Sequence, residues 1–353
     1  MKRSSIIALS GVLLAASAGS AFAQTTVKIA WCARTVSSAA APFAIATKMG
    51  WFAKDGIKVE LVPMPGSTDC VKAVATKDVQ YGLPSIEPLA IIRPQGVKIK
   101  NYYTAYQANI YGIAVPEDSP VKQFTDLKGK RIGVTSMASA GLIVARALAT
   151  TNGLNPDKDV SIVVAGEAAQ TAALLRSGQV DALSQFDTQY ALTENAGAKL
   201  RLLDTKDIAK FPSNGLIALE ERLANNRAEA VALAQGYAKG TVFAIANPEA
   251  AIRILWEVYP QTKATGKTEA DAMRDDIKTL EARARSWRLE SVGAKKWGDN
   301  SAENYGGYVD FLVKNGVLKE KAATMDLITN DLIDDINKFD QGEIEKMAKG
   351  WRG

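Results

Sequence analysis

From residue 27 onward, short runs rich in Val, Ile and Tyr alternate with small-residue stretches of helical period. That alternation is the mark of βα units, in which helices cover both faces of a mostly parallel sheet. Strands are expected over 27–31, 57–62, 79–83, 98–106 and 110–115, with helices over 39–50, 70–76 and 84–91 between them. Gly50 closes the first helix as a C-cap residue, and Pro65-Gly-Ser-Thr-Asp69 supplies a turn and several N-cap candidates for the second.

The linker Pro116-Glu-Asp-Ser-Pro120 is stiffened by two prolines and kept in solvent by Glu117, Asp118 and Ser119, which suits a crossing between domains. Beyond it the alternation resumes, with strands over 131–134, 160–164, 182–186 and 200–204 and helices over 138–150, 170–177 and 188–195. The apolar run 215–219 reads as a strand returning to the first unit. Helices are then expected over 220–245, 248–259, 267–285, 302–315 and 323–340. A chain that leaves one βα unit near Val115 and returns near Gly215 makes a discontinuous first lobe, residues 24–113 with 216–353, around a second lobe of residues 114–215.

Residues 1–23 stand apart. Lys2 and Arg3 precede an apolar run over 6–16, and Ala21-Phe-Ala23 ends in the small-x-small pattern of a signal-peptidase site. The run is shorter than the roughly 20 residues that span a bilayer. It reads as an export signal cleaved near Ala23, which makes the mature chain periplasmic.

The formal net charge of +5 falls by two without Lys2 and Arg3, and no basic stripe interleaved with aromatics accompanies it, so nucleic acid is not an expected partner. Histidine is absent from all 353 residues. That removes Ser-His-Asp and Cys-His nucleophile pairs and every His-containing zinc site. No carboxylate pair is marked out for glycosidase chemistry either, so a non-catalytic protein without cofactor or metal is expected. Cys32 and Cys70 are the only cysteines. In an oxidising compartment a disulfide is favoured over two free thiols beside a ligand, and it would close a loop of about 39 residues, contributing about 4 kcal/mol on the chain-entropy account.

Four motifs, in this order, carry a family resemblance: Lys48-Met-Gly-Trp-Phe52 with Asp55-Gly-Ile57, Phe124-Thr-Asp-Leu-Lys-Gly-Lys-Arg-Ile-Gly-Val134, Ser177-Gly-Gln-Val-Asp-Ala182, and Asn247-Pro-Glu-Ala250. The chain resembles the solute-binding proteins of bacterial ABC importers, in the branch that handles nitrate, sulfonates such as taurine, and thiamin-precursor pyrimidines. The resemblance implies an α/β, type II-like periplasmic binding protein fold: two lobes, two hinge crossings, and a helical C-terminal extension packed on the first lobe. It also implies a monomer that captures a small polar organic solute (sulfonate or taurine-like, carboxylate or zwitterion) and delivers it to an ABC permease in the inner membrane. Two alternatives stay open on the same fold, namely binding or processing of a pyrimidine precursor and presentation of a ligand to a sensor. The pyrimidine synthases of the thiamin branch rely on histidine and a cysteine-rich motif, and this chain has neither.

Ligands of open parallel sheets bind beyond the carboxyl ends of the strands. In the first lobe that rule nominates Trp31, Cys32 and Arg34, then Ser67, Thr68 and Asp69, then Ser85 and Glu87. In the second it nominates Ser136, Ala138, Ser139 and Ala140, then Glu167, then Gln185 and Asp187, while Tyr106, Asn109, Tyr111 and Asn214 enter from the hinge side. The small residues from Ser136 to Gly141 open a helix whose free N–H groups would suit an anion, although the same residues also make a plain N-cap. Asp187 or Glu87 in a dry cleft would call for a ligand amine or ring N–H, unless each caps a helix instead.

Overall fold

The computed structural model describes residues 24–353; the export signal and its cleavage point near Ala23 lie outside the described residues. Ten strands, β1 (Thr25–Trp31), β2 (Ile57–Pro63), β3 (Tyr81–Gly82), β4 (Ile99–Thr104), β5 (Ala114–Pro116), β6 (Arg131–Val134), β7 (Ser161–Val164), β8 (Ala182–Leu183), β9 (Leu200–Leu202) and β10 (Gly215–Leu219), form two five-stranded sheets. The first runs β2-β1-β3-β10-β4 and the second β7-β6-β8-β5-β9.

The two sheets are built alike. In each, three parallel strands are joined to an antiparallel fourth, and that fourth is the strand arriving from the other lobe: β10 beside β3, β5 beside β8. The chain therefore crosses between β4 and β5 and again between β9 and β10. β1 lies between β2 and β3, with Val27, Ile29, Ala30 and Trp31 all buried, as a strand covered on both faces requires.

Helices from the C-terminal part complete the first lobe. The helix Arg227–Ala246 lies against the helix Ala41–Lys48, where Phe43 meets the Tyr237 ring at 4.8 Å. A Cβ on Gly240 would sit 2.1 Å from the Pro42 carbonyl oxygen, so only glycine allows the two helices this close. The helix Glu269–Trp287 also reaches the second lobe. Asn195 Nδ2 donates to the Asp275 carbonyl at 3.0 Å and Lys278 pairs with Glu194 at 2.9 Å, both against the helix Asp187–Asn195.

The strands expected over 79–83 and 182–186 are each reduced to two residues, β3 and β8, and three further expected elements differ. The strand expected over 110–115 is confined to β5: Asn109 Oδ1 takes the Tyr111 N–H (2.7 Å), and ahead of β5 the pairing is reduced to an isolated antiparallel bridge of Tyr111 with Phe186, through the Asp187 N–H and the Ile110 carbonyl (3.0 Å). The helix expected over 220–245 divides at Asn226 into Glu220–Asn225 and Arg227–Ala246. The helix expected over 323–340 is broken into Thr324–Leu327 and Ile333–Ile336: Ile328 bridges to Asn101, and Asn330 Oδ1 accepts the Asn300 N–H at 3.0 Å. A further helix, Gln341–Gly350, follows with Asp340 as its N-cap.

Candidate functional site

A narrow cleft, partly open to solvent and with a cavity volume of about 30 Å³, lies where the two crossings bring the lobes together. The first lobe contributes Trp31, Cys32, Ala33, Ser37, Leu83, Tyr106 and Asn214, and the second contributes Phe186 and Thr188. Ile110 and Tyr111 form its hinge side, and Arg283 enters from the helix Glu269–Trp287.

Each wall is held from behind. Trp31 ends β1, and its indole N–H donates to the Thr35 carbonyl at 2.9 Å, which fixes the ring. Cys32 and Cys70 form a disulfide, with Cα atoms 5.8 Å apart, that ties the cleft wall to the helix Ser67–Ala75. Asn214 donates through Nδ2 to the Leu83 carbonyl at 2.8 Å, and its own carbonyl accepts the N–H groups of Ala105 and Tyr106. Tyr111 meets Phe186 edge to face at 5.9 Å. Burial raises the Tyr106 and Tyr111 hydroxyls, so both stay protonated near neutral pH.

Arg283 is the charged group of this cleft. It is 3% exposed; its Nε lies 2.9 and 3.1 Å from the two Asp187 carboxylate oxygens, and its Nη2 also bonds that carboxylate. The guanidinium carbon lies 4.0 Å from the Tyr106 ring centroid, a cation–π distance. Burial works against its charge, but the Asp187 carboxylate outweighs burial, and the pKa is raised overall.

Five of the nominees therefore line the cleft: Trp31 and Cys32 from the strand ends, and Tyr106, Tyr111 and Asn214 from the hinge side. Five others are placed where the lobes touch. Glu167 accepts the Arg34 N–H at 3.1 Å and the Thr35 hydroxyl at 2.7 Å; Ser136 Oγ donates to the Pro65 carbonyl at 2.8 Å; the Thr68 N–H donates to the Ala138 carbonyl at 3.1 Å. The Ser136 to Gly141 segment thus faces the first-lobe loop at Pro65 to Thr68. Its donors are largely used internally, with Ser136 Oγ taking the Ala138 N–H and Ser139 Oγ capping Gly141, while Ala140 is buried in the first turn. Asp69 is half-buried in the first turn of its helix and does not line the cleft.

The remaining nominees stand behind the walls. Ser67 Oγ accepts the Ser85 N–H at 3.2 Å and so joins two helix starts. Glu87 is 1% exposed and accepts a hydrogen bond from the Tyr308 hydroxyl; burial raises its carboxyl above the ordinary range against the lowering effect of Ser85 and Tyr308. Asn109 accepts the Tyr111 N–H through Oδ1 and Gln185 donates through Nε2 to Gly166 (3.0 Å) and Thr171 (3.3 Å), while the buried Asn109 Nδ2 and Gln185 Oε1 have no hydrogen-bond partner among the described residues. Asp187 faces Arg283, so the carboxylate that would have called for a ligand amine already has a cation from the protein.

Arg283 was not foreseen. The sign lies in its helix, where Leu280, Ala284 and Trp287 form a buried stripe and Arg283 stands on it. A guanidinium on an apolar stripe needs a partner, and here the partner comes from the other lobe. Among the described residues no three of His, Cys, Asp and Glu are grouped to hold a metal ion.

The sequence profile described as NMT1/THI5 like matches residues 37–251. A curated relative, the riboflavin-binding protein RibY of Chloroflexus aurantiacus, is 22% identical over 226 residues, 63% of this chain; the match spans 64% of that relative's length. The alkanesulfonate-binding protein SsuA from Xanthomonas axonopodis pv. citri, solved bound to MOPS, superposes at a TM-score of 0.65 with 17% identity over 86% of this chain and 98% of its own. The desulfurization enzyme DSZB superposes at 0.59, with 17% identity over 89% of this chain and 99% of its own. At these identities the structures establish the shared periplasmic binding protein fold.

Proposed function

This chain belongs to the NMT1/THI5-like family, and from that premise we propose that it is a periplasmic receptor that captures a small polar organic solute and hands it to an ABC permease of the inner membrane. It acts as a monomer, with residues 24–113 and 216–353 as one lobe and 114–215 as the other, closing about the two crossings. The observation that carries this reading is the cleft walled by both lobes, Trp31 and Tyr106 on one side and Phe186 and Thr188 on the other, at a place where hydrogen bonds from Glu167 and Ser136 span the lobes. Those bonds exist only when the lobes are together, so a solute that touches both walls favours the closed form and needs no chemistry to do so.

The solute is a sulfonate, carboxylate or zwitterion small enough for this cleft. Native mass spectrometry of the purified full chain identifies what it holds, and small-angle scattering with and without that compound tests closure. Compaction with the solute recovered unchanged is expected; chemical turnover overturns the reading. Turnover is the outcome a second reading requires, an enzyme on this fold, which the likeness to a desulfurization enzyme keeps in view. The chain has no histidine to serve as a base near neutral pH.

A further inference from the structure

The lining of the cleft narrows the class of solute. Four aromatic side chains line it; Arg283 lies over the Tyr106 ring, which leaves Trp31, Tyr111 and Phe186, and the Tyr111–Phe186 pair is fixed at an interplanar angle of 76°. Rings arranged in this way favour a flat, polarisable partner, through stacking and edge contacts, over a flexible aliphatic chain. The space left between these walls is about 30 Å³, well under the usual range for ligand sites, so the lobes must part to admit even a single ring.

Arg283 lines the same cleft. Its Nε and Nη2 are committed to Asp187, and Nη1 makes no hydrogen bond among the described residues while the side chain lines the cleft. A guanidinium nitrogen only donates, so the ligand group that meets it must accept, and a carboxylate makes the stronger, charge-assisted bond. The Thr188 hydroxyl, on the same lining, adds a second donor. No free carboxylate is offered to a ligand ammonium group here, because Asp187 is engaged by Arg283 and Glu167 by Arg34 and Thr35.

Resting on the capture reading, we infer that the solute is a small planar aromatic carboxylate, its ring among Trp31, Tyr111 and Phe186 and its carboxylate on Nη1 of Arg283.

The test is calorimetric titration of the full chain with benzoate, cyclohexanecarboxylate, benzamide and taurine. Benzoate is expected to bind at least about tenfold more tightly than each of the others, the scale of one aromatic contact or one charge-assisted bond. Trp31→Leu should erase its advantage over cyclohexanecarboxylate, and the paired change Arg283→Gln with Asp187→Asn should erase its advantage over benzamide. The first variant tests the inference by itself if the second does not fold. Any of the three comparison compounds matching benzoate overturns the inference, and so does failure of benzoate to bind. In either case an unchanged solute found by native mass spectrometry leaves the capture reading standing.

Discussion

Thr35 donates its hydroxyl to the Glu167 carboxylate at 2.7 Å across the two lobes, and the Arg34 N–H reaches the same carboxylate at 3.1 Å. The partners are 132 and 133 residues apart in sequence and belong to different sheets' lobes, so these bonds report on closure alone. Each contributes about 0.5–1.5 kcal/mol net, towards the low end at an exposed site. Glu167→Ala should therefore weaken solute binding by about threefold to tenfold through faster release, with the melting temperature of the ligand-free protein unchanged. Stopped-flow release rates measure this, and an unaltered rate would show that Glu167 does not hold the lobes.

Gly66 offers a cleaner separation of closing from folding. A Cβ at this position would lie 2.4 Å from the Ala138 carbonyl oxygen, an atom of the other lobe. Its φ of 176° is extended backbone that alanine adopts freely. Gly66→Ala is thus expected to leave the ligand-free melting temperature close to the parent's while lowering affinity by at least about tenfold, the scale of an overpacked contact. Scattering should show a larger radius of gyration at saturating solute. A parent-like radius and affinity would mean that the lobes meet differently in solution.

These two positions mark where the sequence is legible and where it is not. The order of strands and helices reads through hydrophobic period; Trp31 and Cys32 follow from looking at strand ends, and Tyr106, Tyr111 and Asn214 from looking at the hinge side. The segment from Ser136 to Ala140 carries the residues of an anion-binding helix start, yet those residues are equally suited to face another piece of protein. Only the fold places Pro65, 71 residues away, opposite Ser136. Arg283 escaped because strand-end reasoning does not examine a helix of the C-terminal extension. The helix expected over 323–340 failed for the same kind of reason, since the Asn101–Ile328 bridge that interrupts it joins segments more than two hundred residues apart.

The disulfide supports both stability and the cleft wall. Cys70 is fully buried and Cys32 lines the cleft, with a sequence separation of 38. On the chain-entropy account the loop contributes about 4 kcal/mol. Cys70→Ser, or treatment with a reductant, should lower the melting temperature by several degrees and weaken binding, because Trp31 and Ala33 flank the freed Cys32. Differential scanning calorimetry with and without reductant tests this, and coincident melts would remove the disulfide from the stability account.

Glu87 should give stability a dependence on pH. Its carboxyl is raised by burial, so it holds its proton more tightly folded than unfolded. Such a group stabilises the fold fully below its unfolded pKa, and that contribution is lost as pH rises through the folded value. Stability is therefore expected to decline upward from the ordinary glutamate value of about 4.3. Glu87→Gln keeps the shape and an acceptor for the Tyr308 hydroxyl but has no proton to lose, so its stability should change less with pH over that interval. Urea melts at a series of pH values compare the two slopes, and equal slopes would exclude Glu87 as the source.

Arg283 and Asp187 are 3% and 17% exposed at their side chains and sit on different lobes. Removing one member of a buried ion pair leaves an uncompensated charge, at a cost of about 3–5 kcal/mol, whereas removing both charges costs much less. Asp187→Asn should consequently destabilise the protein more than the double change Asp187→Asn with Arg283→Gln. Arg283→Gln alone should also cost more than the double change, since both give up the contact over Tyr106 at 4.0 Å, worth about 1–2 kcal/mol when desolvated, and the single change leaves the Asp187 carboxylate unpaired as well. A double-mutant cycle on urea melts yields the coupling, expected at about 2–3 kcal/mol for groups in direct contact. A coupling near zero would mean that the pair forms only in the closed arrangement. Arg283 would then be exchanged between Asp187 and solvent as the lobes open, and the same cycle repeated with solute bound should recover the missing energy.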